Sequence, residues 1–64
     1  MNYEQLIKRC RELFPEFWFY DDVTLLENIQ HNILIFMNGV PESEWSPIEK
    51  EKVALIDFID EYLC

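Results

Sequence analysis

The stretch that decides the fold is DDVTLLENIQHNILIFMNG, residues 21–39. Its apolar residues recur at helical spacing and share one face: Leu25, Leu26, Ile29, Ile33, Phe36 and Met37. Either Asp21 or Asp22 can cap the start of a helix, and Asn38-Gly39 can supply a left-handed C-cap before Pro41. The stretch therefore predicts a helix from about 22 to 38.

The same stretch also allows a β-hairpin. Its segment 33–37, ILIFM, is apolar all round and β-prone, and Asn38-Gly39 is also a hairpin turn signal. In that alternative fold, residues 17–20 pair with 33–37 as two short strands between two helices. We favour the helix because a periodic stretch of about fifteen residues is longer than a typical strand.

Residues 2–14 form the first predicted helix. Apolar side chains at positions 3, 6, 7, 10, 13 and 14 follow the spacing of an amphipathic helix. Asn2 can cap it together with Gln5, and Pro15 ends it because proline disfavours helical geometry at the residue before it.

The third predicted helix spans 46–63 and opens on Ser46-Pro47-Ile48-Glu49, which combines a serine cap, proline at the first helical position and glutamate at the third. Its expected apolar face consists of Ile48, Leu55, Ile56, Phe58, Ile59, Tyr62 and Leu63. Together the three segments predict an all-α protein, a small three-helix bundle forming a single domain over residues 1–64.

The charge balance excludes several classes of partner. Five basic residues against 13 acidic ones give a net charge of −8. Direct contact with nucleic acid or with an anionic membrane needs basic residues, so neither is expected. The sequence contains no run of 18 apolar residues and no signal-peptide pattern. Two cysteines, Cys10 in the expected core and Cys64 at a fraying end, fit a reducing compartment, so we expect a cytoplasmic protein.

The residues that enzymes use are nearly absent. His31 is the single histidine and Gly39 the single glycine, which leaves no catalytic triad and no phosphate-binding loop. One histidine and two distant cysteines do not make a zinc site, and no calcium-loop spacing is present. We therefore expect no enzyme activity, no catalytic residue, no metal, no cofactor and no small-molecule substrate.

Two linkers combine aromatic and acidic residues, and the predicted partner-binding surface lies there. Its residues are Phe17, Trp18, Phe19, Tyr20, Asp21 and Asp22 in the first linker, and Glu42, Glu44 and Trp45 in the second. Trp and Tyr are enriched at protein interfaces. Asp57, Asp60 and Glu61 are second-rank candidates, because acids in the last turns oppose the helix dipole.

A surplus of apolar side chains points to the same function. Ten such residues have no evident place inside a three-helix core: Phe17, Trp18, Phe19, Tyr20, Val23, Leu34, Ile35, Val40, Trp45 and Val53. An exposed apolar patch rimmed by acids is typical of an interaction site. We expect a small acidic interaction module or regulator, which docks on a protein partner or on itself as a homodimer. Such chains are typical of adaptors and of phage or mobile-element modulators.

Two other functions fit the sequence. A chain of net charge −8, with no basic residue between Glu12 and Glu49, could mimic nucleic acid and inhibit a DNA-binding protein. A structural subunit of a larger assembly would also explain the surplus of aromatic residues.

Overall fold

A computed structural model describes residues 1–63, so the expectation for Cys64 lies outside the described residues. Four α-helices occur in these residues: α1 (Tyr3–Leu13), α2 (Asp22–Gly39), α3 (Pro47–Ala54) and α4 (Ile56–Leu63). Single 3-10 turns at Pro15–Phe17 and Glu42–Glu44 lie in the two linkers. Because α3 and α4 follow one another with one residue between them, the protein is an all-α bundle of three helical segments, as predicted.

The alternative hairpin is wrong. Residues 33–37 lie inside α2, and residues 17–20 lie in the first linker, with no strand anywhere in 1–63. The helix wins because α2 is eighteen residues long and buries Leu25, Leu26, Ile29 and Ile33 along one face. A strand over 33–37 would separate Ile33 from the other three residues of that face.

The helix starts follow the capping signals in the sequence. At α1, the Asn2 Oδ1 accepts from the Gln5 N–H at 2.8 Å, and the Gln5 side chain accepts from the Asn2 N–H at 3.1 Å. At α3, the Ser46 hydroxyl accepts from the Glu49 N–H, and the Glu49 carboxylate accepts from the Ser46 N–H at 2.7 Å. Each capping box satisfies backbone donors that a helix leaves unpaired at its start.

The end of α2 differs from the prediction. Gly39 does not adopt a positive φ but is the last helical residue, and Val40 ends the helix with its N–H bonded to the Phe36 carbonyl at 2.9 Å. The left-handed cap expected at Asn38-Gly39 is therefore wrong. Extended geometry at Val40, with φ −129° and ψ 120°, leads directly into Pro41 and makes a left-handed residue unnecessary.

The third segment is interrupted at Leu55, where a continuous helix was predicted. The Leu55 N–H bonds to the Lys52 carbonyl at 3.2 Å, a tighter turn than that of an α-helix. Val53 and Leu55 are both buried, although residues two apart point about 200° apart in a regular helix. The break lets both side chains reach the core.

The core is built from all four helices. Its buried members are Leu6, Ile7, Cys10, Leu13, Phe14, Leu25, Leu26, Ile29, Ile33, Val53, Leu55 and Ile59. Burial raises the pKa of the Cys10 thiol to about 11, as suits a cysteine that packs as a small apolar residue. Val53 was predicted to lie outside the core, and Ile48, Met37 and Tyr62 within it. The structure reverses these four assignments, since Val53 is buried and the other three are exposed.

Polar and aromatic contacts join the helices around this core. Arg9 of α1 pairs with Glu51 of α3 at 2.6 Å, and the amide of Gln30 in α2 donates to the Asp60 carboxylate in α4. Tyr3 and Tyr62 meet edge to face with ring centroids 5.1 Å apart. No helix within residues 1–63 has both the length and the apolar character needed to span a membrane.

Candidate functional site

The first linker forms a compact structure that we call the aromatic turn, residues Phe17, Trp18, Phe19 and Tyr20. It follows α1 through Phe14, whose buried ring stacks on that of Phe17 with centroids 5.9 Å apart and planes 4° from parallel. The N–H groups of Phe17 and Tyr20 donate to the carbonyls of Phe14 and Phe17 at 3.1 and 3.2 Å. The aromatic turn is therefore ordered by its own hydrogen bonds and by one half-buried ring on the core.

Arg11 holds the far end of the aromatic turn. Its guanidinium donates to the Tyr20 carbonyl at 3.1 Å and to the Asp22 carboxylate at 2.9 Å. Asp21, which directly follows Tyr20, caps α2 by accepting from the Thr24 N–H at 2.8 Å. This hydrogen bond lowers the pKa of the Asp21 carboxyl. The turn is thus tied to both helices that flank it.

Two of its four aromatic side chains point into solvent. Trp18 is 78% exposed and Phe19 is 61% exposed, whereas Phe17 and Tyr20 are half-buried and pack against the core. The Trp18 and Phe19 rings meet edge to face at 5.8 Å, and Phe19 lies 4.3 Å from Tyr20 between ring centroids. A continuous series of ring contacts therefore runs from the core outward to Trp18.

Acidic residues flank the exposed pair in the sequence. Glu16, Asp21 and Asp22 are all exposed. The carboxylate of Asp22 pairs with Arg11, while Glu16 pairs with no basic residue in the part of the chain described. The sequence predicted a partner-binding surface over all of residues 17–22, and of these Trp18, Phe19, Asp21 and Asp22 are exposed.

Trp45 has a different environment from the aromatic turn. Its indole N–H donates to the Val40 carbonyl at 2.9 Å, and its ring lies 5.9 Å from that of Phe36. The half-buried ring closes the second linker over the end of α2, with exposed Glu42 and Glu44 beside it in sequence. Among described residues, no ring contact links Trp45 to the aromatic turn, so its evident role is to hold the linker in place.

The second-rank acids lie on α4. Asp57 and Glu61 are exposed, and Asp60 is half-buried with its carboxylate accepting from Gln30. Asp60 thus joins two helices, which gives it a structural explanation. Of the acids proposed from the sequence, Asp57 and Glu61 remain free at the surface of α4 in the described structure.

A groove that sequence reasoning missed lies between the end of α1, the middle of α2 and α3. Its volume is about 90 Å³, and the residues that line it are Phe14, Asn32, Ile33, Phe36, Glu49, Lys52 and Val53. The Lys52 ammonium lies 4.9 Å from the centre of the Phe14 ring, a cation–π contact. These residues come from three separate segments, so no spacing in the sequence marks them as neighbours.

Part of the apolar surplus remains at the surface of α2. Val23, Leu34 and Ile35 are exposed, as expected from the sequence. Within residues 1–63, no three His, Cys, Asp or Glu side chains come together in a way that could hold a metal ion.

Comparisons with protein-family models, with curated proteins and with solved structures found no match to this chain.

Proposed function

We propose that this protein is a protein–protein docking module that binds through its aromatic turn. The observation that carries this proposal is the exposure of two adjacent large aromatic side chains, Trp18 and Phe19, on a turn that is otherwise packed and hydrogen-bonded. Apolar side chains of this size are costly to leave in water, and Trp is among the residues that dominate binding energy at interfaces.

The anchoring of the turn supports binding as its purpose. Arg11 and the stacked pair of Phe14 and Phe17 fix the backbone on which Trp18 and Phe19 stand. A side chain presented by a fixed backbone loses less conformational entropy when it binds. The turn is therefore preorganised for insertion into an apolar pocket on a partner.

The acids define the chemistry of that partner. Glu16, Asp21 and Asp22 flank the exposed pair, and the net charge of the chain is −8. Complementary charge increases the rate of association and selects among partners. We therefore infer a protein partner, or a second copy of this chain, whose apolar pocket has a basic rim.

The cysteine content supports a cytoplasmic location for this activity. A chain of 64 residues that uses disulfides for stability would carry more than two cysteines, and Cys10 is buried as a free thiol. The proposal needs no catalytic group, metal or cofactor.

The test is an affinity-capture experiment that compares how tightly the wild type, Trp18→Ala and Leu34→Ala bind a protein partner or a second copy of the chain. Leu34 is the matched control because it is also apolar and exposed, but it lies on α2 away from the aromatic turn in sequence. We expect Leu34→Ala to retain partner or self-association, and Trp18→Ala to lower the affinity at least about tenfold. Equal binding by wild type and Trp18→Ala would contradict the proposal.

A second measurement separates docking from nucleic-acid mimicry. Binding that depends on aromatic burial should persist when salt rises from about 50 to 200 mM, because apolar burial is not screened. A mimic that occupies a phosphate-binding groove would lose affinity steeply over the same range.

A further inference from the structure

One side of α2 carries exposed apolar side chains that neither the core nor the aromatic turn uses. They are Val23, Leu34 and Met37, and with Glu27 and Gln30 they recur at spacings of four, three, four and three residues. All five therefore lie within about 80° of one another around the helix axis. This is the spacing of a helix surface that packs lengthwise against another helix. We call these five residues the outer stripe of α2.

A row of acids on α4 borders the outer stripe. The amide of Gln30 donates to the Asp60 carboxylate, which joins the edge of the stripe to α4. Asp57 and Glu61 are exposed and lie within about 100° of Asp60 around the axis of α4, on the side away from buried Ile59. The stripe and these three acids therefore form one surface, which we call the α2–α4 face.

The charge of the α2–α4 face is uncompensated. All five lysines and arginines belong to α1 or α3: Lys8, Arg9, Arg11, Lys50 and Lys52. Among the described residues, Glu27, Asp57 and Glu61 form no ion pair, and the single ionisable base on α2 or α4 is His31. Carboxylates without a counter-charge attract a cationic partner and repel the same face of a second copy.

We infer that the α2–α4 face is a second docking site, whose ligand is a basic amphipathic helix of another protein. Apolar side chains of that helix would cover Val23, Leu34 and Met37, and lysines or arginines beside them would meet Asp57 and Glu61. Amphipathic helices bind in this way through apolar residues three and four positions apart. The eighteen residues of α2 offer about 27 Å of length to such a ligand. This site goes beyond the docking proposed for the aromatic turn.

A designed peptide is the probe that tests this inference. It has about three heptads, with leucine at the a and d positions and lysine or arginine at the positions beside them. NMR spectra of the isotopically labelled full chain, recorded as the peptide is added at about 150 mM salt, locate the contact. We expect saturable binding, with the largest shifts on the α2–α4 face. A control peptide with glutamate in place of lysine and arginine should bind at least about tenfold more weakly.

Two neighbouring side chains on α2 provide the matched test of the apolar contact. Leu34 and Ile35 are 47% and 59% exposed, but they point about 100° apart, and only Leu34 belongs to the outer stripe. Leu34→Ala should raise the dissociation constant of the basic peptide at least about fivefold, whereas Ile35→Ala should leave it within about twofold of wild type.

Two double variants provide the matched test of the charge contact. Asp57→Lys with Glu61→Lys reverses two acids on α4, and Glu42→Lys with Glu44→Lys makes the same change of net charge in the second linker. The α4 variant should raise the dissociation constant of the basic peptide at least about tenfold, and the linker variant at most about threefold, because screening weakens distant charges. Circular dichroism of every variant confirms that the helices are retained.

Failure of the basic peptide to bind at concentrations up to about 1 mM would overturn this inference. So would shifts confined to α1, α3 or the aromatic turn, and so would equal weakening by both members of either matched pair. Self-association of the wild type that Leu34→Ala abolishes would assign the face to a second copy of this chain and would also overturn it.

The two docking proposals fail separately. Trp18→Ala should bind the basic peptide as tightly as the wild type does, because Trp18 lies outside the α2–α4 face. Leu34→Ala should likewise retain binding through the aromatic turn. Loss of one kind of binding therefore leaves the other proposal standing.

Discussion

Arg11 and Tyr20 are nine residues apart, and the guanidinium of the first donates to the backbone carbonyl of the second at 3.1 Å. This contact bridges the last turn of α1 and the end of the aromatic turn, and the same guanidinium reaches Asp22 at the start of α2. One side chain therefore fixes the position from which Trp18 and Phe19 project. The exposed pair depends on a residue that sequence reasoning did not select.

Removing Arg11 should loosen this arrangement. We expect Arg11→Ala to lower the free energy of unfolding by about 1 kcal/mol, because a charge-assisted hydrogen bond and an ion pair at a half-exposed site are lost. Chemical denaturation followed by circular dichroism measures the change. Arg9→Ala, which removes ion pairs of similar exposure with Glu12 and Glu51 but no bond to a backbone carbonyl, is the matched control and should cost less. Equal stability of Arg11→Ala and wild type would show that the turn is ordered without this contact.

Mutation of the two tryptophans should change the free energy of unfolding by different amounts. Trp18→Ala should leave the free energy of unfolding within about 0.5 kcal/mol of wild type, because its side chain is largely in solvent. Trp45→Phe should cost about 1 kcal/mol, because the hydrogen bond from the indole to the Val40 carbonyl is lost. Urea unfolding of both variants measures the difference. A strongly destabilised Trp18→Ala would place that residue in the core and remove it from the docking surface.

Acid should destabilise the protein through two helix caps. Asp21 and Glu49 accept hydrogen bonds from the Thr24 and Ser46 N–H groups, and these bonds lower the pKa of both carboxyls. A carboxyl with a lower pKa in the folded state contributes stability above its unfolded pKa, and that contribution disappears as the pH falls through the folded value. The loss of stability should therefore begin as the pH falls below about 4, the ordinary pKa of a carboxyl group.

The double variant of Asp21→Asn and Glu49→Gln tests that origin. Both amides keep a side-chain oxygen that can accept at the cap, so the helices should form at neutral pH. We expect a shallower fall in melting temperature between about pH 5 and pH 2 than in the wild type. Glu27→Gln is the control, since Glu27 caps no helix. If the melting temperature of the double variant falls with acid as steeply as that of the wild type, groups other than these two caps cause the pH dependence.

Replacing Gly39 should stabilise the protein. Gly39 has no positive φ, lies in the last turn of α2, and an added Cβ would meet nothing within 4 Å. Alanine restricts the unfolded chain and favours the helix, so Gly39→Ala should raise the free energy of unfolding by about 0.5 kcal/mol. Thermal and urea unfolding measure the effect. The left-handed cap expected from the sequence predicts the opposite sign, so a destabilised variant would restore that interpretation.

Local signals in the sequence were sufficient for most of the secondary structure. The caps at Asn2, Asp21 and Ser46 involve residues three apart, so their geometry follows from short-range hydrogen bonding alone. Apolar periodicity likewise located the buried face of α2, because burial on one side of a helix imposes a 3.6-residue repeat. The exposure of Trp18 and Phe19 could also be expected from the sequence, because a small core cannot hold such a cluster of aromatic residues.

Errors occurred where distant packing overrides a local signal. Asn38-Gly39 reads equally as a helix cap, a hairpin turn or a helix end, and the path into Pro41 decided among them. The third segment breaks at Leu55, which lets Val53 and Leu55 both pack in the same core. That core forms only when the segment packs against α1 and α2, so no local pattern indicates the break. The sequence pattern of 46–63 contains no proline or glycine that would mark the break.

The sequence by itself determined an all-α chain with three helical segments, the positions of their starts, and an excess of acidic and aromatic side chains in the linkers. These properties depend on residues a few positions apart. Only the tertiary structure decided that Trp45 packs on Phe36 while Trp18 stays in solvent, and that Arg11 fixes the turn. It alone formed the groove around Phe14 and Lys52. Those features join residues from different helices, and their distances exist only once the helices pack.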